Sequence, residues 1–230
     1  MPWGRELDAT SDASDGSSGI GSQSERMRPT GFLLCGGRSS RMGANKALLQ
    51  FHGELLVQRG LRTLSEVCTE VAIAGGTEDL NRFGKVIQDE TADSGPLGGI
   101  ISAMEQSTSE WNLFLSVDTP FVPASALSRL LSAAADSPSV GVMARVAGRL
   151  QPLCAAYSRK ALPLLREQLA AGNRKVTDAV AAVGGYTAVD FEEEGWFANL
   201  NTPEEFAEAS RRVDVPGDAP DALSDDALDN

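Results

Sequence analysis

Short apolar runs alternate with helix-like patterns through the middle of the chain, and this alternation limits the fold more than any other feature. The strand-like runs are Gly31–Cys35, Glu70–Ala74, Lys85–Ile87, Asn112–Val117, Ser139–Ala144, Leu153–Tyr157 and Thr187–Phe191. The helix-like runs are Glu54–Val67, Leu97–Gln106, Ala124–Ala135, Arg159–Ala171, Val176–Val183 and Pro203–Arg212. Strands separated by helices predict an α/β fold, here a three-layer, doubly wound, mostly parallel sheet of the Rossmann-like kind.

The run "NLFLSV", residues 112–117, is apolar on both faces, which is typical of a strand in the middle of a covered sheet. In doubly wound sheets, ligands bind outside the carboxyl ends of the strands, where the strand order reverses. The residues that directly follow each predicted strand are therefore the first candidates for a functional site.

Both ends of the chain differ in composition from its middle. Residues 1–28 are rich in Ser, Gly and Asp, and residues 213–230 hold six aspartates and no lysine or arginine. Such segments bury too little apolar surface to offset the entropy of ordering, so we predict a disordered extension, a single domain over 29–212 and a disordered acidic tail. Half of the net charge of −12 comes from that tail, and no broad basic face is indicated, which argues against a nucleic-acid partner.

Histidine and cysteine usage excludes several kinds of site. The single histidine, His52, makes a histidine metal centre or a Ser/His/Asp triad improbable, and three cysteines without a Cys-x-x-Cys pair are typical of a reducing compartment. No apolar run approaches the roughly 18 residues that span a bilayer. The sequence predicts a cytoplasmic enzyme or binding protein with no membrane partner.

A glycine-rich loop follows the first predicted strand in "FLLCGGRSSRMGANK". Gly36 and Gly37 allow backbone N–H groups to approach a ligand closely, and Arg41 and Lys46 add positive charge. The loop matches neither the Walker pattern nor Gly-x-Gly-x-x-Gly. A polyphosphate is the predicted ligand, with a flexible surface loop as the alternative.

A second glycine-rich stretch, "DSGPLGGIISAM", opens a predicted helix at residues 93–104. Gly95, Gly98 and Gly99 could let the start of this helix approach a ligand, or they could serve the packing of the helix on the sheet. The sequence leaves these two interpretations open.

Two aspartates end predicted strands. Asp118 follows the most strongly apolar strand, and Thr119-Pro120 then turns the chain. Carboxylate oxygens suit Mg²⁺ that is shared with phosphate, so Asp118 is a candidate metal ligand, with a turn or capping aspartate as the alternative. Asp89 after "KVIQ" is a weaker candidate of the same kind.

Two asparagines, Asn199 and Asn201, flank Leu200 in "WFANLNTPEEF" near the C-terminus. Alternation in an extended segment places both amides on one face, where they could recognise a polar ligand or satisfy backbone groups in a turn. The following Thr202-Pro203-Glu204-Glu205 predicts a helix start with a threonine N-cap.

Five motifs resemble those of the molybdenum cofactor guanylyltransferases and occur in the order expected of that family. They are "LLCGGRSSRMGANKALL", "GPLGGIISAM", "FLSVDTP", "RLQPLCAAY" and "FANLNTPEEF", and the resemblance runs from about residue 30 to residue 212. It implies a Rossmann-like nucleotidyltransferase domain that transfers GMP from GTP to molybdenum–molybdopterin and releases pyrophosphate. Molybdoenzyme assembly proteins are a further implied class of partner.

The resemblance also implies roles for individual residues. It assigns GTP contacts to Leu34, Cys35 and Gly36, with Gly37 adjoining, and a further nucleotide contact to Asp89. It assigns phosphate contacts to Arg41 and Lys46, Mg²⁺ and GTP to Asp118, and the pterin side of the site to Asn199 and Asn201.

The sequence departs from the family pattern at two positions. Cys35 stands where relatives usually carry alanine, and Ala74 stands where an asparagine often contacts the nucleotide. Gly36-Gly37 favours guanine, because the related cytidylyltransferases typically have Ala-Gly. Two alternatives stay open: a nucleotidyltransferase that uses CTP or a sugar or polyol phosphate acceptor, and a non-catalytic nucleotide-binding assembly factor.

Overall fold

The computed structural model of the chain describes residues 29–36, 45–88 and 94–211. These residues form nine β-strands and six α-helices. The strands are β1 (Thr30–Leu34), β2 (Gln50–Phe51), β3 (Glu54–Leu55), β4 (Glu70–Ala74), β5 (Val86–Ile87), β6 (Trp111–Ser116), β7 (Gly141–Val146), β8 (Arg149–Ser158) and β9 (Tyr186–Phe191). The helices are α1 (Leu56–Ser65), α2 (Gly95–Glu105), α3 (Ala124–Ala135), α4 (Leu162–Ala170), α5 (Val176–Val183) and α6 (Pro203–Arg211). Short 3₁₀ turns occupy Lys46–Leu48, Glu78–Arg82, Arg159–Ala161 and Glu194–Phe197.

Seven of these strands form one sheet in the order β5-β4-β1-β6-β8-β7-β9. β1 runs parallel to β4 and to β6, β4 parallel to β5, and β7 parallel to β9. β8 is antiparallel to both of its neighbours. The strand order reverses beside β1, because β4 and β5 extend the sheet on one side of it and β6 on the other. The predicted mostly parallel, doubly wound sheet is confirmed.

Helices cover both faces of this sheet because successive strand residues point to opposite sides. On β1, Leu33 packs into one buried cluster with residues of α1, α3 and α6. Phe32 and Leu34 pack into a second buried cluster with residues of α2, α4 and α5. The predicted three layers are therefore present, and burial of apolar surface on both faces holds β1 and β6 in the centre.

Several predicted element boundaries differ from the structure by one or more residues, and three of these errors have a clear local reason. The helix predicted from Glu54 begins at Leu56, because a turn at His52 and Gly53, both with positive φ, pairs β2 with β3 first. The strand predicted from Leu153 begins at Arg149, because Ala147 and Gly148 adopt positive φ in a tight turn that returns β7 into β8.

The third error concerns the helix predicted from Arg159 to Ala171. Residues Arg159–Ala161 form a 3₁₀ turn instead, and α4 begins only at Leu162, with Pro163 in its first turn. Proline is tolerated there because the first N–H groups of a helix have no intrahelical acceptor.

The ring of Phe51 is fully buried and joins the β2–β3 hairpin to the rest of the fold. Its centroid lies 5.4 Å from that of Phe121 and 5.7 Å from that of Phe206 on α6. We expect Phe51→Ala to lower the free energy of unfolding by about 3–5 kcal/mol, because the surrounding side chains would line a cavity. The measurement is equilibrium unfolding in urea.

Leu164→Ala is the matched control, because Leu164 is 42% exposed on α4. It should change the free energy of unfolding by less than about 0.5 kcal/mol. Equal midpoints for the two variants would contradict the assignment of Phe51 to the core.

Candidate active site

The carboxyl ends of β4, β1 and β6 lie side by side at one edge of the sheet. Leu34 at the end of β1 is in register with Ala74 on β4 and with Ser116 on β6. Hydrogen bonds continue one residue further on each side: Cys35 N–H donates to the Ala74 carbonyl at 2.9 Å, and Val117 N–H donates to the Leu34 carbonyl at 3.1 Å. The chain that leaves β1 and the chain that leaves β6 are therefore fixed next to each other.

Lys46 and Asp118 meet at this edge. Lys46 Nζ lies 3.6 Å from Asp118 Oδ2, and the two side chains are only 12% and 23% exposed. Asn45 caps the short 3₁₀ turn that carries Lys46, since its Oδ1 accepts from Ala47 N–H at 3.2 Å, and Ala47 is buried. The cap and the buried alanine fix the direction in which the lysine leaves the backbone.

The loop after β6 holds Asp118 in place. Thr119 donates its N–H and its hydroxyl to the Ser116 carbonyl, and Leu200 N–H donates to the Asp118 carbonyl at 2.9 Å. Asp118 Oδ1 is buried and has no hydrogen-bond partner among the described residues. A carboxylate oxygen in that position suits a hard cation or a hydrogen-bond donor brought by a ligand.

The C-terminal segment reaches the same place. Lys46 Nζ donates to Asn201 Oδ1 at 3.3 Å. Leu200 is buried, whereas Asn199 and Asn201 are exposed. The structure thus brings Asn201 to Lys46 and Asp118, and the pterin-side roles of Asn199 and Asn201 stay predictions.

Glu205 is a site residue that the sequence analysis missed. It completes a capping box at the start of α6: its Oε2 accepts from Thr202 N–H at 3.0 Å, and Glu205 N–H donates to Thr202 Oγ1 at 3.1 Å. The same Oε2 accepts from Asn201 N–H at 2.6 Å. The sequence signal was present, since a glutamate three residues after a threonine cap marks a capping box, but the sequence says nothing of its proximity to Lys46.

Two opposing effects act on the pKa of Lys46. Burial lowers the pKa of Lys46, while the negative charges of Asp118 and Glu205 oppose that shift. A cation held in this way has lost part of its hydration and interacts strongly with any anion that enters the site.

A second polar cluster, also missed from the sequence, links the chain before Lys46 to the loop after β4. Asn45 Nδ2 donates to Thr77 Oγ1 at 2.7 Å, and Thr77 Oγ1 is hydrogen-bonded to Asp79 Oδ1. Gly76 in this loop has φ +91°, and a Cβ there would meet Leu80 Cδ1 at 2.6 Å. The loop needs glycine at this position and brings Asn45 close to the end of β4.

The predicted residues of the first glycine loop are only partly described. Leu34 is buried at the end of β1, and Cys35 and Gly36 follow at the sheet edge. Gly37, Arg41 and Asp89 lie outside the described residues.

The second glycine stretch contributes to packing at Gly98. A Cβ on Gly98 would lie 2.3 Å from the Cβ of Ser94. Only glycine therefore fits at this position at the start of α2. Gly99 is buried, and Gly95 is exposed with φ +65°. Of the two interpretations left open, the structure supports packing for Gly98, although against the turn before α2 rather than against the sheet.

In the described ranges, no group of three or more His, Cys, Asp or Glu side chains could hold a metal ion by itself. A cation at Asp118 would therefore need oxygen ligands from elsewhere, and nucleotide phosphates supply such oxygens. No helix among the described residues is long and apolar enough to cross a bilayer.

A doubly wound sheet with charged and polar side chains gathered at the carboxyl ends of its strands places the chain in the class of α/β proteins that bind a ligand at this edge. The comparisons identify the family within that class: residues 31–183 match the MobA-like NTP transferase domain, and the chain belongs to this family. The expected family, and with it the expected nucleotidyltransferase class, is confirmed.

Named relatives support this assignment. The chain is 30% identical over 179 residues to the "Probable molybdenum cofactor guanylyltransferase" of Flavobacterium johnsoniae, covering 76% of this chain and 93% of that protein. It is 35% identical over 191 residues to the protein of the same name from Pelotomaculum thermopropionicum, covering 80% and 92%. The solved structure of "Molybdopterin-guanine dinucleotide biosynthesis protein A" from Archaeoglobus fulgidus has a TM-score of 0.67 at 21% identity, covering 79% and 96%, and shows the shared fold.

Cysteine reactivity tests the burial at the end of β1. Burial raises the pKa of Cys35, and likewise of Cys68 and Cys154, to about 12. A raised pKa leaves less thiolate at pH 8, so we expect iodoacetamide to alkylate the folded protein about 10³-fold more slowly than the urea-unfolded protein. Peptide mapping by mass spectrometry separates the three sites. Labelling of Cys35 in the folded protein at the unfolded rate would show that the strand end is open.

Proposed function

We propose that the protein transfers GMP from GTP to molybdenum–molybdopterin, with release of pyrophosphate, and so forms the guanine dinucleotide cofactor. The observation that carries the proposal is the meeting of Lys46, Asp118 and Asn201 at the carboxyl edge of the sheet. The relatives named above as molybdenum cofactor guanylyltransferases support the choice of GTP and of this acceptor.

In this proposal GTP lies over the ends of β1 and β6. Leu34, Cys35, Gly36 and Gly37 border the nucleotide, and Asp89 makes a further contact with it. Lys46 and Arg41 supply positive charge to its phosphates. The described geometry supports the role of Lys46, because its ammonium is already partly dehydrated and directed into the site.

Asp118 is the proposed ligand of Mg²⁺. Its buried Oδ1, which has no hydrogen-bond partner in the described part of the chain, fits a hard cation that also takes oxygens from the nucleotide. When bound, Mg²⁺ would neutralise phosphate charge at the reacting centre. Asp118 contributes a carboxylate that needs little reorganisation, since Leu200 N–H already holds its backbone carbonyl and Thr119 closes the turn around it by donating to Ser116.

The proposed reaction is a displacement at the α-phosphorus of GTP. A terminal phosphate oxygen of the pterin cofactor forms a bond to that phosphorus, and the bond to the bridging oxygen of the β-phosphate breaks. The electron pair leaves with pyrophosphate. Because two anions must meet, neutralising charge dominates the barrier, and Lys46 offsets the charge that develops on the leaving group.

The attacking oxygen is already anionic, so the reaction needs no dedicated general base. Asn199 and Asn201 are the proposed contacts on the pterin side, and Asn201 lies within reach of the phosphate-binding lysine. We also propose that residues 29–212 act as one domain, and that the protein works in the cytoplasm, where GTP is available.

Two substitutions test the roles of Lys46 and Asp118. We expect Asp118→Ala to abolish GMP transfer and Lys46→Ala to slow it more than about 10²-fold, because each removes a positioned charge from the transition state. The assay follows pyrophosphate release and the mass of the pterin product at saturating Mg²⁺.

Asp136→Ala is the matched control for Asp118→Ala, and Lys85→Ala is the matched control for Lys46→Ala. Each control removes a charge of the same sign from an exposed position. Both should retain full turnover. Near-wild-type turnover of Asp118→Ala, with the protein folded, would remove Asp118 from its proposed role.

A panel of nucleotides separates the main proposal from the CTP alternative. With molybdenum–molybdopterin as acceptor, kcat/KM for GTP should exceed that for CTP by at least about tenfold. The reason is that a site whose hydrogen-bonding groups fit guanine leaves some of those groups unpaired when cytosine binds. Equal or greater use of CTP would support a cytidylyltransferase. Tight GTP binding without product from any acceptor would support the non-catalytic assembly factor.

A further inference from the structure

Glu205 accepts one more hydrogen bond than helix capping requires. In a capping box the glutamate at the third helical position accepts from the N–H of the cap residue, which here is Thr202. The bond from Asn201 N–H is additional and, at 2.6 Å, it is shorter than the 3.0 Å bond from Thr202. Glu205 therefore restrains the residue whose side chain contacts Lys46.

The backbone around Asn201 is fastened on both sides. On the N-terminal side, Leu200 is buried and its N–H donates to the Asp118 carbonyl. On the C-terminal side, Glu205 accepts from Asn201 and Thr202, and α6 itself is held where Phe206 packs against Phe51. With both flanks fixed, the backbone of Asn201 is held at the distance from which its side-chain amide reaches Lys46.

This restraint matters because a lysine side chain is long and flexible. Its ammonium has three N–H donors, and Asn201 Oδ1 accepts one of them. Holding the ammonium near Asp118 before a ligand arrives reduces the conformational entropy that ligand binding would otherwise cost. Asp118 takes a second donor, which leaves the third for a phosphate oxygen.

We propose that Glu205 is a positioning residue for nucleotide binding: through the N–H of Asn201 it holds the amide that orients Lys46. This inference rests on the proposed phosphate contact of Lys46. It does not require GMP transfer or a pterin acceptor, so it can be tested by nucleotide binding alone.

The test compares Glu205→Ala with Glu205→Gln. We expect the alanine variant to bind GTP about tenfold more weakly, the scale of losing one well-placed hydrogen bond to a charged group. Glutamine keeps an oxygen that can accept from both N–H groups, and the charge that it removes has the smallest of the effects on Lys46, so Glu205→Gln should bind within about twofold of wild type. The measurement is the Kd for GTP by isothermal titration calorimetry in magnesium buffer without acceptor.

Thr202→Ala controls for simple loss of helix stability. It removes the cap hydroxyl that accepts from Glu205 N–H but leaves both bonds to the glutamate carboxylate. Urea unfolding should show a loss of stability in this variant, while its Kd for GTP stays at the wild-type value. Glu204→Ala controls for the loss of an acid from the same helical turn and should also bind GTP normally.

A double-mutant cycle with Asn201→Ala tests the route through the amide. If Glu205 acts through Asn201, then Glu205→Ala has no further effect on GTP affinity once Asn201 is alanine. Additive losses of affinity would overturn the proposal.

Three other results would also overturn it. They are equal losses of affinity in Glu205→Ala and Glu205→Gln, an equal loss in Thr202→Ala, and unchanged GTP affinity in Glu205→Ala. A wild-type protein that binds GTP but transfers no GMP would instead remove the proposed function and leave this test standing.

Discussion

The site depends on the hydrogen-bonded contact between β1 and β6. Lys46 and Asp118 are distant in sequence: Asp118 lies in the loop that directly follows β6, and Lys46 lies on a 3₁₀ turn that Asn45 ties to the loop after β4. The bond from Val117 N–H to the Leu34 carbonyl extends the pairing past the strand ends, so the register of the sheet fixes where the loop that carries Asp118 begins. A slip of one residue would turn Asp118 to the other face of the sheet.

The buried lysine explains why polar groups from several elements gather at this edge. Removing an ammonium from water is unfavourable, and here the carboxylates of Asp118 and Glu205 and the amide of Asn201 offset that cost. These partners hold the side chain in place without surrounding it completely. A polyphosphate could replace some of the contacts at low cost, which is the condition that a preorganised anion site must meet.

Much of the fold follows from the sequence, because burial on both faces of a strand and the helical period leave clear patterns. The end of β6 could be placed from "NLFLSVD" alone, and the cap of α6 from Thr202-Pro203. The antiparallel direction of β8 could not be predicted, because it depends on a two-residue turn at Ala147 and Gly148. Nor could the approach of Glu205 to Lys46, because a capping box fixes only local geometry and the docking of α6 depends on contacts such as that between Phe206 and Phe51.

The C-terminal segment contributes to the site from beyond the family match. That match covers residues 31–183, whereas Asn201 and Glu205 follow it in the sequence and lie close to Lys46. The sheet edge alone offers a lysine and a carboxylate, a pair that suits many phosphate ligands. The segment before α6 attaches to both partners of that pair, through the Asp118 carbonyl and the Lys46 ammonium. In the proposed reaction, a pterin acceptor that contacts this segment would therefore act on the two groups proposed to meet GTP, so binding of the two substrates should be coupled.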